Sequence, residues 1–227
     1  MLSSASLALN QISSPPFRAV LVKAIGLTLA MLAAAWAALY AAFVHFVTVP
    51  WGWLETVLDV LTGVGLVIGL VFLIAPVTAM FAGLFLDDVA AAVERTSYPD
   101  DPPGRPLPFG ESLMSAIRFT ALVIVVNIVV LLLLLLPGVN LVAFFVANGY
   151  LLGREYFELA ASRFHPREEV QRLRRQNGMR VFMGGLLIAL VLAIPIVNFI
   201  TPLFATAFMV HLHKAVIGSR PSLAAAA

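Results

Sequence analysis

The sequence predicts an all-α integral membrane protein: two long transmembrane helices, two re-entrant helical hairpins that penetrate the bilayer only partway, and a helical cytoplasmic portion. Three observations predict it. The 227 residues are 61% hydrophobic and 11% charged, with a mean hydropathy of +1.00. Soluble domains carry about 25% charged and about 45–50% apolar residues. A core of this size needs no such excess, so the bilayer is the solvent. Second, one grammar occurs twice: an apolar run, a P-x-V-N turn, a second apolar run and a polar foot. Third, the basic residues fall where a single face of the membrane can hold them all.

The elements follow in order. Residues 1–19 are mildly amphipathic, with Leu2, Leu7, Leu9 and Ile12 on one face of a short interfacial helix; a frayed terminus is the alternative. They lack the basic, apolar and small-residue order of a cleaved signal peptide, so the N-terminus is expected to be retained. Residues 20–49 are apolar apart from Lys23 and His45. About 20 such residues cross a hydrocarbon core, and this is the first transmembrane helix. Trp51 and Trp53 mark the interface beyond it. The second transmembrane helix covers 54–96. It carries a small face of Gly63, Gly65 and Gly69 and runs on into water past Asp87, Asp88, Glu94 and Arg95. A proline-rich loop follows over 97–110.

The first hairpin spans 117–152, with arms at 117–136 and 141–152; the second spans 181–214, with arms at 181–194 and 199–210. Proline fixes its own φ and disfavours helix in the residue before it, so each P-x-V-N is a sharp reversal. Arms of 12 residues are about 18 Å long, short of a crossing, and read as re-entrant segments or buried helices. Between the hairpins, 158–180 is charged and helix-forming and reads as a solvated helical segment. The loop at Trp51 and both P-x-V-N turns contain no Lys or Arg, so all 14 lie on one face. By the positive-inside rule both termini are cytoplasmic.

The absence of cysteine excludes disulfides, thiol catalysis and Cys-ligated metals. No H-E-x-x-H, Walker-type or G-x-S-x-G motif is present. No enzyme activity, cofactor or metal is therefore expected. His211 and His213 are two residues apart and do not share a helical face. The net charge of +2 reflects membrane orientation, not nucleic-acid binding. Two positions suit an anion. At the start of the first transmembrane helix, Arg18 can offer its guanidinium fork, backed by the backbone N–H groups of Arg18, Ala19 and Val20 and by Lys23. The alternative is that Arg18 and Lys23 anchor to lipid headgroups. At the foot of the first hairpin, Arg154, Glu155 and Glu158 form a charged cluster, with Arg154 and Glu158 at i,i+4. It would line a pore or gate, or be an interfacial salt bridge. Asn140 and Asn198 sit at the hairpin tips as pore-lining or turn-capping groups, and Asn127 and Asn148 lie within the arms.

On the PPFR segment, the GLFLDDVAAAVE stretch, the GYLLGREYFELAA foot and the two P-x-V-N hairpins, the chain resembles the CysZ-like sulfate permeases over nearly its whole length. The resemblance implies a bacterial inner-membrane protein, homo-oligomeric, that takes up sulfate, with sulfite as a related oxyanion, for cysteine biosynthesis. It places sulfate in a Gly-apolar-Arg-Arg motif before the first helix. The matching positions here read Pro16, Phe17, Arg18 and Ala19: the first arginine is kept, the glycine and the second arginine are not. The expected function is sulfate uptake by a channel-like or ion-coupled permease. A non-transporting membrane adaptor or assembly protein is the alternative.

Overall fold

The computed structural model describes residues 2–46, 52, 57–58, 60–65, 67–69, 73–74, 77, 85–133, 140–194, 197–219 and 221. Among the described residues the regular structure is helical. In chain order it comprises α1 (Leu2–Ile12), α2 (Pro15–Phe46), α3 (Leu86–Ser97), α4 (Phe109–Leu133), α5 (Asn140–Ser162), α6 (Arg167–Gln176), α7 (Gly178–Leu192), a 3-10 turn (Val197–Ile200) and α8 (Thr201–Val216). Among the described residues, two helices are long and apolar enough to cross a membrane, over Pro15–Phe43 and Gly110–Leu132.

α2 starts five residues before the predicted Val20. Pro15 and Pro16 occupy its first turn, where a missing N–H removes no helical hydrogen bond and the fixed φ already suits a helix. α1 is a regular helix of 11 residues. It docks on α8 through Ser4, Ala8 and Gln11, all buried, whereas Leu9 is exposed. The buried stripe is small and polar because α8 approaches closely there.

Most of the predicted second transmembrane helix, and the two turns at Pro137–Val139 and Pro195–Ile196, lie outside the described residues. The end of that helix is α3. Half of it is buried, including Val89, Val93, Glu94 and Ser97, and it packs on α8. Among the described residues, a Cβ on Gly63, Gly65 or Gly69 would meet nothing within 4 Å. A close helix approach occurs where α5 crosses α7. A Cβ on Gly185 would collide with the Gly149 carbonyl and the Gly153 backbone, and one on Gly153 would stand 2.5 Å from the Val181 carbonyl oxygen. Gly149-x-x-x-Gly153 is the small-residue spacing that lets helix backbones touch.

The two hairpins, written in one grammar, are structurally unequal. α4 begins eight residues before the expected Ile117, and its 25 residues make it about 37 Å long. No residue of its apolar stretch is buried. α5 runs unbroken through the polar foot to Ser162. In the second hairpin, α7 starts three residues before the expected arm and ends two before its end, while α8 starts two residues late and runs six residues past the expected Val210. α8, however, is buried without interruption from Thr201 to Lys214. It is the axis on which α1, α3, α5 and α7 pack. A helix apolar on every side is stable only when enclosed. The segment 158–180, expected to be solvated, is divided among the end of α5, a turn, α6 and the start of α7. It also contains Arg163, which is only 6% exposed.

Candidate functional site

The entrance of α2 is assembled by its own first turn. Ser14 N–H donates to the Gln11 carbonyl and Arg18 N–H to the Ser14 carbonyl, which brings α1 into α2 with a two-residue break. Because the helix starts at Pro15, the N–H groups of Ala19 and Val20 point to carbonyls one turn back. With Pro16 lacking an N–H, the donor cradle expected from Arg18, Ala19 and Val20 is committed inside the helix. Phe17 and Val20 face inward into the core, at 2% and 7% exposure. Arg18, Ala19 and Lys23 face outward. Neither Arg18 nor Lys23 forms an ion pair with a described residue; the Lys23 ammonium lies 6.0 Å from the centre of the Phe85 ring. What the entrance presents is therefore an unneutralised guanidinium with an ammonium on the next turn.

The foot of α5 brings the second predicted cluster together. Arg154 Nε donates to Glu158 Oε1 at 3.0 Å, one turn apart as the i,i+4 spacing requires. Arg174 of α6 places its Nε 3.0 Å from the same oxygen. Glu155 lines a cavity of about 500 Å³ together with Asp87, Glu158 and Arg163, between α3, α4 and α5. Burial raises its carboxyl to about 7. On the other side of Ser115, Phe119, Glu158 and Ser162, a second cavity of about 270 Å³ opens between α4, α5 and α6. Of the polar tips, Asn140 starts α5 and Asn198 lies in the 3-10 turn. Asn127 and Asn148 bond back to the carbonyls of Val123 and Phe144, one turn earlier in their own helices.

Two buried polar clusters that sequence reasoning missed hold these sites in place. In the first, Arg163 Nε donates to Glu94 Oε1 at 2.7 Å and Arg163 Nη1 to Asp87 Oδ1 at 2.5 Å, while Gly104 N–H donates to Glu94 Oε2 at 3.0 Å. Burial disfavours the guanidinium charge, but Glu94 and Asp87 outweigh it and hold the arginine more firmly protonated than usual. In the second, Gln11 Nε2 donates to Ser97 Oγ at 2.6 Å, and Gln11 Oε1 lies 3.1 Å from His211 Nε2. His211 Nδ1 in turn meets the Tyr98 hydroxyl at 2.9 Å. Lys214 Nζ donates to Asp101 Oδ2 at 2.8 Å and sits 4.1 Å from the Phe164 ring centre. That hydrogen bond lowers the pKa of the Asp101 carboxyl. The proline-rich loop 98–108 is thus tied to α3, α5 and α8. The signal was available in part: polar residues within apolar helical patterns, at Glu94, Ser97, Arg163, His211 and Lys214, mark buried networks.

The helices of crossing length, with an arginine that pairs with no described residue where the first of them begins, are those of a helical membrane protein. The chain belongs to the family described as sulfate transporter CysZ/etoposide-induced protein 2.4, whose profile matches residues 4–202. No curated protein matches it.

Proposed function

We propose that this protein is a sulfate permease of the bacterial inner membrane, channel-like or driven by an ion gradient, that supplies sulfate for cysteine biosynthesis. The observation that carries the reading is the match of residues 4–202 to a family whose description names a sulfate transporter. The local chemistry agrees with it. Sulfate is a tetrahedral dianion that needs donors and positive charge not already neutralised by carboxylates. Arg18 provides both at the start of α2, where the helix dipole adds its positive end. Lys23 is the second cation, and Arg154, Glu155 and Glu158 form the gate at the cytoplasmic ends of the hairpins. In this reading both termini are cytoplasmic, the hairpins are re-entrant, and Asn140 and Asn198 face the path at their tips.

The apolar stretch of α4, in which no described residue is buried, suits contact with lipid and with further copies of the chain, and the permease is a homo-oligomer with no enzymatic activity. Sulfite, sharing size and charge, competes for the path. Anion-dependent thermal stabilisation tests the reading, because a ligand that binds the folded state stabilises it. Sulfate stabilises a permease over chloride at equal ionic strength. Equal effects of the two salts would favour a membrane adaptor.

A further inference from the structure

Three arginines line one chamber of this fold, and two of them, Arg118 and Arg167, form no ion pair with a described residue. The cavity of about 270 Å³ is lined by Arg118 of α4, Arg154 of α5 and Arg167 of α6, together with Glu111, Glu158 and His165. Glu158 is already spent: its Oε1 serves both Arg154 and Arg174, each at 3.0 Å. Glu111 is exposed in the first turn of α4, where the helix dipole alone favours an acid. Arg118 and Arg167 form no ion pair with any described residue. Three guanidiniums thus line the chamber with two carboxylates, a surplus of one positive charge.

Arg167 sharpens the point. It sits at the first residue of α6, where a cation opposes the helix dipole, so it adds no local stability. His165 directs Nδ1 to Glu169 Oε2 at 3.4 Å and leaves Nε2 enclosed and without a partner. Like charges gathered around a cavity, with an enclosed polar atom in its wall, raise the local concentration of the opposite charge.

We propose that this chamber is a binding site for a tetrahedral oxyanion dianion, held between Arg118, Arg154 and Arg167 and separate from the entrance at Arg18. Guanidinium forks match the paired oxygens of such an ion, which an ammonium or a monatomic anion does not. The site deepens the permease reading and rests on it for its role, an internal station at the foot of the path. The binding itself does not depend on transport.

The test is calorimetric titration of sulfate into the purified full-length protein in detergent, for wild type, Arg18→Gln, and the double variant Arg118→Gln/Arg167→Gln. Both exposed arginines lack ion pairs, so the double variant keeps the wild-type melting temperature without sulfate. The expected result is sulfate affinity reduced at least tenfold in the double variant, with inorganic phosphate competing in the wild type. Affinity within twofold of wild type in the double variant would overturn the site. So would chloride competing as well as sulfate at equal ionic strength, or phosphatidylglycerol in nanodiscs displacing sulfate, which would make the occupant a lipid headgroup. The two proposals fail separately. Arginine-dependent binding without flux removes the permease and leaves the site; flux with binding indifferent to Arg118 and Arg167 does the reverse.

Discussion

Arg163 grips Glu94 across 69 positions of sequence, Nε to Oε1 at 2.7 Å, with both side chains almost fully enclosed. The pair fastens α5 to α3, and the loop residue Gly104 closes over it: a Cβ there would lie 2.9 Å from both Glu94 Oε1 and Arg163 Cβ. Removing one partner strands the other charge in the core, which costs about 3–5 kcal/mol. Glu94→Ala and Arg163→Ala are each expected to lower stability by that amount in thermal or denaturant unfolding. Asp87→Ala is expected to cost under about 1 kcal/mol, because Asp87 is 57% exposed and its pairing is screened by water.

The α5–α7 crossing depends on the absence of side chains. Gly185→Ala forces the helices apart and is expected to cost about 3 kcal/mol or more, read as a loss of melting temperature. Gly63→Ala, where nothing lies within 4 Å, leaves the isolated subunit's stability within about 0.5 kcal/mol.

Gln11 joins α1 to both α3 and α8. Gln11→Ala leaves the Ser97 hydroxyl and one His211 nitrogen unpaired in a buried setting, at a cost of about 1–3 kcal/mol. Hydrogen exchange is expected to accelerate first in α1, whose docking on α8 depends on this contact.

Glu155 predicts a pH effect. Its carboxyl is raised from 4.5 to about 7 by burial, so between those values the folded protein holds a proton that the unfolded chain has released. Stability therefore falls as pH rises from about 4.5 to about 7 and is flat beyond. Glu155→Gln removes this decline and is more stable than wild type at pH 8, by on the order of 1–3 kcal/mol. Melting temperatures measured across that pH range check it.

The apolar composition and the repeated pattern of apolar runs made the all-helical membrane class legible, and the loop at 97–110 follows from its prolines, which cannot continue a helix. Tertiary partners were not legible. Nothing in the two hairpin sequences says that α8 is enclosed and α4 bare, since both are apolar all round. The charged segment containing Arg163 looked solvated because its partners Glu94 and Asp87 lie far away in sequence. The i,i+4 pair of Arg154 and Glu158 was readable because helical geometry fixes it without tertiary help, whereas Arg174, Arg118 and Arg167 reach the same corner only through the fold. Likewise the N–H cradle at Ala19 and Val20 depended on where α2 begins, and a start five residues earlier turned those donors inward.

Flux of labelled sulfate into proteoliposomes, compared between wild type and Arg18→Ala, tests the central claim most directly. The permease reading predicts uptake well above empty liposomes, inhibited by sulfite, and reduced about tenfold or more when the unpaired guanidinium at the start of α2 is removed. Uptake no greater than in empty liposomes, from correctly folded and inserted protein, would contradict it.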